Sequence, residues 1–217
     1  MSDISDHPKW DSLQPLSSET MRHTTLLSLF AAILLVACGN ENAAPPRADS
    51  GNEQDAFWTS LQSLCGQAFA GRLVDLSPPD TSFVGKEFVM HVRQCEDSVV
   101  RIPFFVGDDR SRTWVISRTP TRLRLKHDHR HEDGTEDEVT QYGGDTLEQG
   151  SATQQEFAAD SYTASLIPAA ATNVWTLEIQ PGEIFAYALR REGTDRRFRV
   201  EFDLTRPVPA PPPPWGH

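Results

Sequence analysis

Polar and apolar positions change period along this chain, and each change marks an element. From Leu26 to Val36 the chain is apolar almost without interruption. From Asp55 to Gly66, DAFWTSLQSLCG, the apolar residues fall at helical spacing. From Glu87 onward they alternate with polar residues, two by two, almost to the end. The second stretch predicts a short amphipathic helix, with Asp55 as its cap, Phe57, Leu61 and Leu64 on one face and Gly66 as its stop. So short a helix is marginal alone and needs a surface to pack on.

The alternating stretches predict strands. Glu87–Gln94 places Phe88, Met90 and Val92 on one face, and Val100, Ile102, Phe104 and Val106 repeat the pattern. Pro103 on the opposite face lacks a donor and suggests an edge or a bulge. Thr113–Arg118 carries Trp114 and Ile116. Gln154–Ala159 centres on Phe157, and Asn173–Ile179 aligns Trp175, Leu177 and Ile179. Turns at Gln180-Pro181-Gly182-Glu183 and Glu192-Gly193-Thr194 bracket Phe185, Tyr187 and Leu189 and introduce Phe198, Val200, Phe202 and Leu204. Short alternating strands joined by turn signals predict an all-β antiparallel meander, barrel-like, with one short N-terminal helix. One globular domain is expected over 55–205, solvated on one side of its sheet.

Between these strands lies Thr121 to Gly144, TRLRLKHDHRHEDGTEDEVTQYGG. Asp133-Gly134 is a two-residue type I′ signal. Centring the turn there pairs His131 with Glu136, His129 with Glu138, His127 with Thr140 and Leu125 with Tyr142 on one face. Two readings stay open. A solvated hairpin tip would carry the cross-strand pairs His131–Glu136, His129–Glu138 and Arg130–Asp137, each worth roughly 0.2–1 kcal/mol. A metal site, zinc if occupied, would use His127 and His129, about 6.6 Å apart along one strand face, with Glu138 as the carboxylate. A pH-responsive or partner-binding patch is the third use of such histidines.

Composition narrows the partners. The formal net charge of -11 over 217 residues argues against nucleic acid. The apolar run after Arg22 and His23 is too short for a membrane span and suits a secretion signal. It closes in Leu35-Val36-Ala37-Cys38, which resembles the lipobox of bacterial lipoproteins. The resemblance implies cleavage after Ala37 and acylation of Cys38, a stable membrane anchor. Gly39 rather than Asp follows, which in that pattern implies the periplasmic side of the outer membrane. Residues 1–20 carry Asp3, Asp6, Asp11 and Glu19, which a positive leader does not want, so Met21 is read as the true start. Residues 21–37 are then the signal peptide and 38–54 a polar tether.

With Cys38 acylated, Cys65 and Cys95 are an even pair in an oxidising compartment, and a disulfide is expected. The passage from the helix through Gly66, Phe69 and Gly71 resembles the start of lipocalin-type barrels, without their usual Gly-x-Trp. Arg206–His217, RPVPAPPPPWGH, reads as a stiff, uncovered proline-rich terminus in an extended polyproline conformation, with a ligand for a proline-binding domain as the second reading. Arg190, Arg191, Arg196 and Arg197 cluster at a turn, as a solvated tip or as an anion contact. His91 reads as a surface or groove residue, and Asp108-Asp109 as a polar loop short of calcium ligands. No catalytic or nucleotide motif is present.

Three functions fit these features. The first is a lipid-anchored binding module for a small ligand, metal or envelope partner. The second is a metal-dependent enzyme using His127, His129 and Glu138. The third is a structural or assembly lipoprotein. An enclosed cavity favours the first, an open coordination position the second, and a filled core with an exposed patch the third.

Overall fold

A computed structural model describes residues 52–77 and 83–216. The leader, Cys38 and the tether ahead of Asn52 lie outside the described residues. The first element is helix α1, Asn52–Ser63. The strands are β1 Ala68–Leu76, β2 Phe88–His91, β3 Gln94–Cys95, β4 Val99–Val106, β5 Asp109–Arg118, β6 Leu123–His129, β7 Tyr142–Asp145 and β8 Gln154–Ala158. A short helix α2, Ser161–Leu166, and a 3-10 turn, Pro168–Ala170, precede β9 Asn173–Gln180, β10 Ile184–Arg191 and β11 Arg197–Val208.

The expected all-β antiparallel architecture is the observed one. The strands pair in the order β7-β6-β5-β4-β2-β1-β11-β10-β9-β8, with β3 added to β4. Neighbours in sequence are mostly neighbours in space, and the first strand joins the last through pairs such as Ala68↔Val208 and Leu73↔Val200. The remaining seam lies between β7 and β8. A single bridge, Thr146↔Phe157, and the Asp160 N–H donating to the Gly143 carbonyl at 2.9 Å draw it nearly shut. Gly143 (φ +142) and Gly144 make this approach possible, because a Cβ on either would run into the carbonyls of Leu125 or Ala158. Thr163 on α2 completes the seam. Its hydroxyl accepts from Gly143 N at 2.7 Å and donates to Gly143 O at 2.8 Å.

Pro103 is not at an edge. It sits inside β4, paired with Thr113 of β5, at the point where β4's other neighbour changes from β2, opposite Phe104, to β3, opposite Arg101. The missing N–H falls in the gap between two partners, so no ladder bond is lost.

One end of the barrel is plugged by α1. The helix starts three residues before the expected Asp55, whose carboxylate pairs with Arg118 of β5 instead of capping. Phe57 and Leu61 are fully buried and Trp58 nearly so; each side chain contributes roughly 1.5–3 kcal/mol. Gln54 Nε2 donates to Thr146 Oγ1 at 3.0 Å. Gly66 N donates to Val92 O at 2.7 Å, and Cys65 is disulfide-bonded to Cys95 with the Cα atoms 6.3 Å apart.

The proline-rich terminus stays largely exposed, but its end is docked rather than free. β11 extends to Val208, and the chain then reaches the far hairpins. Trp215 N donates to Arg110 O at 3.1 Å, Arg110 donates to the Pro213 carbonyl at 3.3 Å, and Pro214 is buried. Without donors of their own the prolines lose no hydrogen bonds in lying along a sheet, and a polyproline segment has little entropy left to lose.

Candidate functional site at the barrel mouth

Along each inward strand face the chemistry changes with depth. On β5 the order from mouth to plug is Arg112, Trp114, Ile116. On β6 it is His129, His127, Leu125. On β10 it is Arg191, Leu189, Tyr187, Phe185, and β9 runs from Asn173 to Trp175 and Leu177. Successive inward residues are about 6.6–6.8 Å apart, so the strands stack in layers: charged at the rim, aromatic below, aliphatic beneath. The aliphatic residues Ile116, Leu125 and Leu177 are fully buried. The upper layers form a part-open cavity of about 240 Å³, which Phe83, Ile167 and Ala170 also line.

A stack of rings forms its floor and walls. Trp114 lies 4.3 Å from Tyr187 and 4.7 Å from Phe104, centroid to centroid and nearly parallel. Tyr142 stacks on His127 at 4.5 Å. The polar atoms of these rings bond one another. His127 Nδ1 lies 3.1 Å from the Tyr142 carbonyl, which only accepts, so Nδ1 carries the proton. Nε2 is then the acceptor, and the Tyr187 hydroxyl donates to it at 2.8 Å. The Trp175 indole N–H acts on the same hydroxyl, opposing the rise of its pKa. Tyr142 Oη and His129 Nε2 meet at 3.0 Å.

Burial sets the charge state of this network. It lowers His127 from 6.5 to about 3, against the pull of the Tyr142 carbonyl, and lowers His129 to about 4, with the Arg112 guanidinium adding to the effect. It pushes the Tyr142 phenol up to about 12 and raises Tyr187 as well. The mouth therefore holds neutral donors and acceptors at physiological pH, with charge confined to the arginines at the rim.

The histidine hairpin departs from its expected register. Only Gly134 of the turn has positive φ (+87), whereas a type I′ turn needs two such residues. The loop is therefore three residues, with His131 N donating to Thr135 O at 2.9 Å and Arg130 bridging to Glu136. A second irregularity follows. Gln141 turns left-handed (φ 58) and residues 138–140 bulge out, so Tyr142, not Thr140, faces His127. The structure thus brings His127 and His129 to one cavity but leaves Glu138 exposed outside it and His131 exposed at the tip. Arg130 pairs with Asp128 and Glu136 rather than with Asp137. Among the described residues no three His, Cys, Asp or Glu side chains are grouped to hold a metal ion. The expected set of His127, His129 and Glu138 is not assembled, because the bulge moves the carboxylate away.

The arginine cluster splits by strand parity. Arg190 points outward to Glu156 at 2.7 Å and Arg197 to Asp75 at 2.8 Å, while Arg191 and Arg196 line the mouth. His91 is buried, with Nδ1 lacking a hydrogen-bond partner. Asp109 accepts from Ser111 N at 2.9 Å and pairs with Arg112. Sequence patterning did not single out Arg112, Tyr142, Tyr187 or Trp175 as site residues, although the alternation that puts each on the inner face was readable. A larger hollow of about 670 Å³ lies outside the barrel over β8 and β9. Arg190 and Glu156 already satisfy each other there, so the mouth is the better candidate. Compared with protein-family models, curated proteins and solved structures, the chain matches none.

Proposed function

We propose that this chain is a lipid-anchored periplasmic binding protein that holds a small ligand in the mouth of its barrel. The observation that carries the reading is the mouth cavity itself: aromatic walls, a neutral hydrogen-bonding floor and cationic rim residues converge on one space, as in small-molecule sites generally. The lipobox at Cys38 supports an outer-membrane address facing the periplasm, with the tether holding the barrel off the lipid. The mouth is then the end that samples the compartment, since α1 and its disulfide occupy the other.

Native mass spectrometry of the protein purified from its own envelope tests the reading. A bound small molecule is expected, and Leu189→Trp, which fills the cavity, should lose it. Absence of any bound species, or equal retention by the filled variant, would refute it. Fractionation of the same cells tests the anchor: Cys38→Ser should release the protein from membranes.

A further inference from the structure

The mouth is specific enough to name a ligand class. The inference rests on the binding reading above and deepens it.

Size comes first. An apolar cavity of about 150 Å³ accommodates benzene, so the mouth cavity of about 240 Å³ accommodates one ring with a short substituent. It is too small for a long acyl chain or a haem. Shape comes second. Trp114, Trp175, Tyr187 and Phe104 present flat faces and edges, and rings pack against such walls in stacked or edge-on geometry. A planar ligand uses this surface better than a branched one.

Charge comes third. Arg112 at the rim is already paired with Asp109. Arg191, on the opposite wall, is not paired with a carboxylate among the described residues: its Nε donates to the neutral Asn173 Oδ1 at 2.9 Å. The residue is half-buried, while its guanidinium lies near the surface and feels the charge of Arg196 beside it. A guanidinium at a cavity rim with no carboxylate partner among the described residues is a seat for an anion, and its fork matches a carboxylate in plane and spacing. Arg191 pairs across β10 and β9 with Asn173, and one inward step deeper Leu189 pairs with Trp175. The anion seat and the aromatic wall are thus one inward layer apart, about 6.6–6.8 Å, a span that a single substituted ring covers.

We propose that the mouth binds a small aromatic carboxylate, with its carboxylate on Arg191 and its ring against Trp175 and Tyr187. The Tyr187 hydroxyl is engaged with His127 Nε2 and His127 Nδ1 with the Tyr142 carbonyl, so these groups offer the ring end of the ligand no unmet donor. A neutral isostere loses the charge and the bidentate fit at Arg191 and keeps the aromatic contact.

Calorimetry with benzoate and with benzamide, its neutral isostere, tests this on the full chain. Benzoate is expected to bind at least tenfold more tightly than benzamide. Arg191→Gln should abolish that preference by weakening benzoate at least tenfold more than benzamide, and Arg191→Lys, which keeps the charge, should retain part of it. Inorganic phosphate, an anion without a ring, should compete weakly. Equal affinity for benzoate and benzamide in the unaltered protein overturns the carboxylate inference and leaves the cavity reading standing. A preference that persists in Arg191→Gln removes Arg191 as the seat. Binding of neither probe overturns the ligand class, and the binding reading is then decided separately by the mass-spectrometric search for a native ligand.

Discussion

The two ends of the barrel are made by the same strands, and they differ in what fills the last inward layer. At the plugged end the layer is Ile116, Leu123, Ile179 and Val100, and α1 lowers Phe57, Trp58 and Leu61 onto it. At the mouth the equivalent positions are Arg112, His129, Asn173 and Arg191, and short segments only partly cover them. An aliphatic layer is stable only if something apolar covers it, so the chain supplies a helix and ties it with Cys65–Cys95. A layer of arginine and neutral histidine tolerates water and needs no plug. Stability is thus concentrated at one end and, in the function proposed above, binding at the other, a division that experiments can break or sharpen.

Phe57→Ala should have the largest effect. Emptying a fully buried aromatic from the plug costs about 3–5 kcal/mol, read as a lower denaturant midpoint, with binding at the mouth unchanged in the protein that still folds. Equal loss of ligand affinity and stability would show that the ends are coupled and sink the division. Removing the disulfide with Cys65→Ser and Cys95→Ser together comes next. The bond closes a separation of 30 residues, for which the chain-entropy treatment gives about 3–4 kcal/mol. A melting temperature insensitive to this change would mean that α1 is held by packing alone.

The smallest effect per step is expected at the mouth, and pH reads it. His127 and His129 are neutral in the fold, with pKa values lowered from 6.5 to about 3 and about 4. Below pH 6.5 the unfolded chain takes up protons that the fold refuses. Stability fully present above pH 6.5 is therefore lost as pH falls toward 4, at roughly 1.4 kcal/mol per pH unit for each histidine. Asp109 and Asp160, held below the usual carboxylate range by their hydrogen bonds and by Arg112 and Lys126, lose their contributions later, below about pH 4. Denaturant titrations at pH 7 and pH 5 should show the decline, and His129→Gln should reduce its slope. Equal stability at the two values would mean that water reaches both rings.

Much of the fold was legible because the interior of a β-barrel is a strict period of two. Phe88 with Met90, Trp175 with Leu177, and Phe198 with Val200 and Phe202 announced their strands and their inward faces. The helix announced itself through Phe57, Leu61 and Leu64, and the pairing of Cys65 with Cys95 followed from counting thiols. The candidate site was legible only in part. His127 and His129 stood out by composition and do line the mouth. Glu138 was joined to them by a register that Asp133-Gly134 suggested and that the bulge at residues 138–140 cancelled.

Local patterning therefore determined which residues face inward, because side-chain alternation belongs to each strand alone. Register across the histidine hairpin did not follow from it, since one left-handed residue, Gln141, and one bulge reset every pair beyond them. Nor did the splitting of the arginine cluster, the docking of the proline-rich terminus on Arg110, or the meeting of Tyr187 with His127 across 60 residues. Each of these depends on which strands become neighbours when the sheet curls, and the energies that decide it, aromatic packing and seam closure at Gly143 and Gly144, arise only between segments distant in sequence.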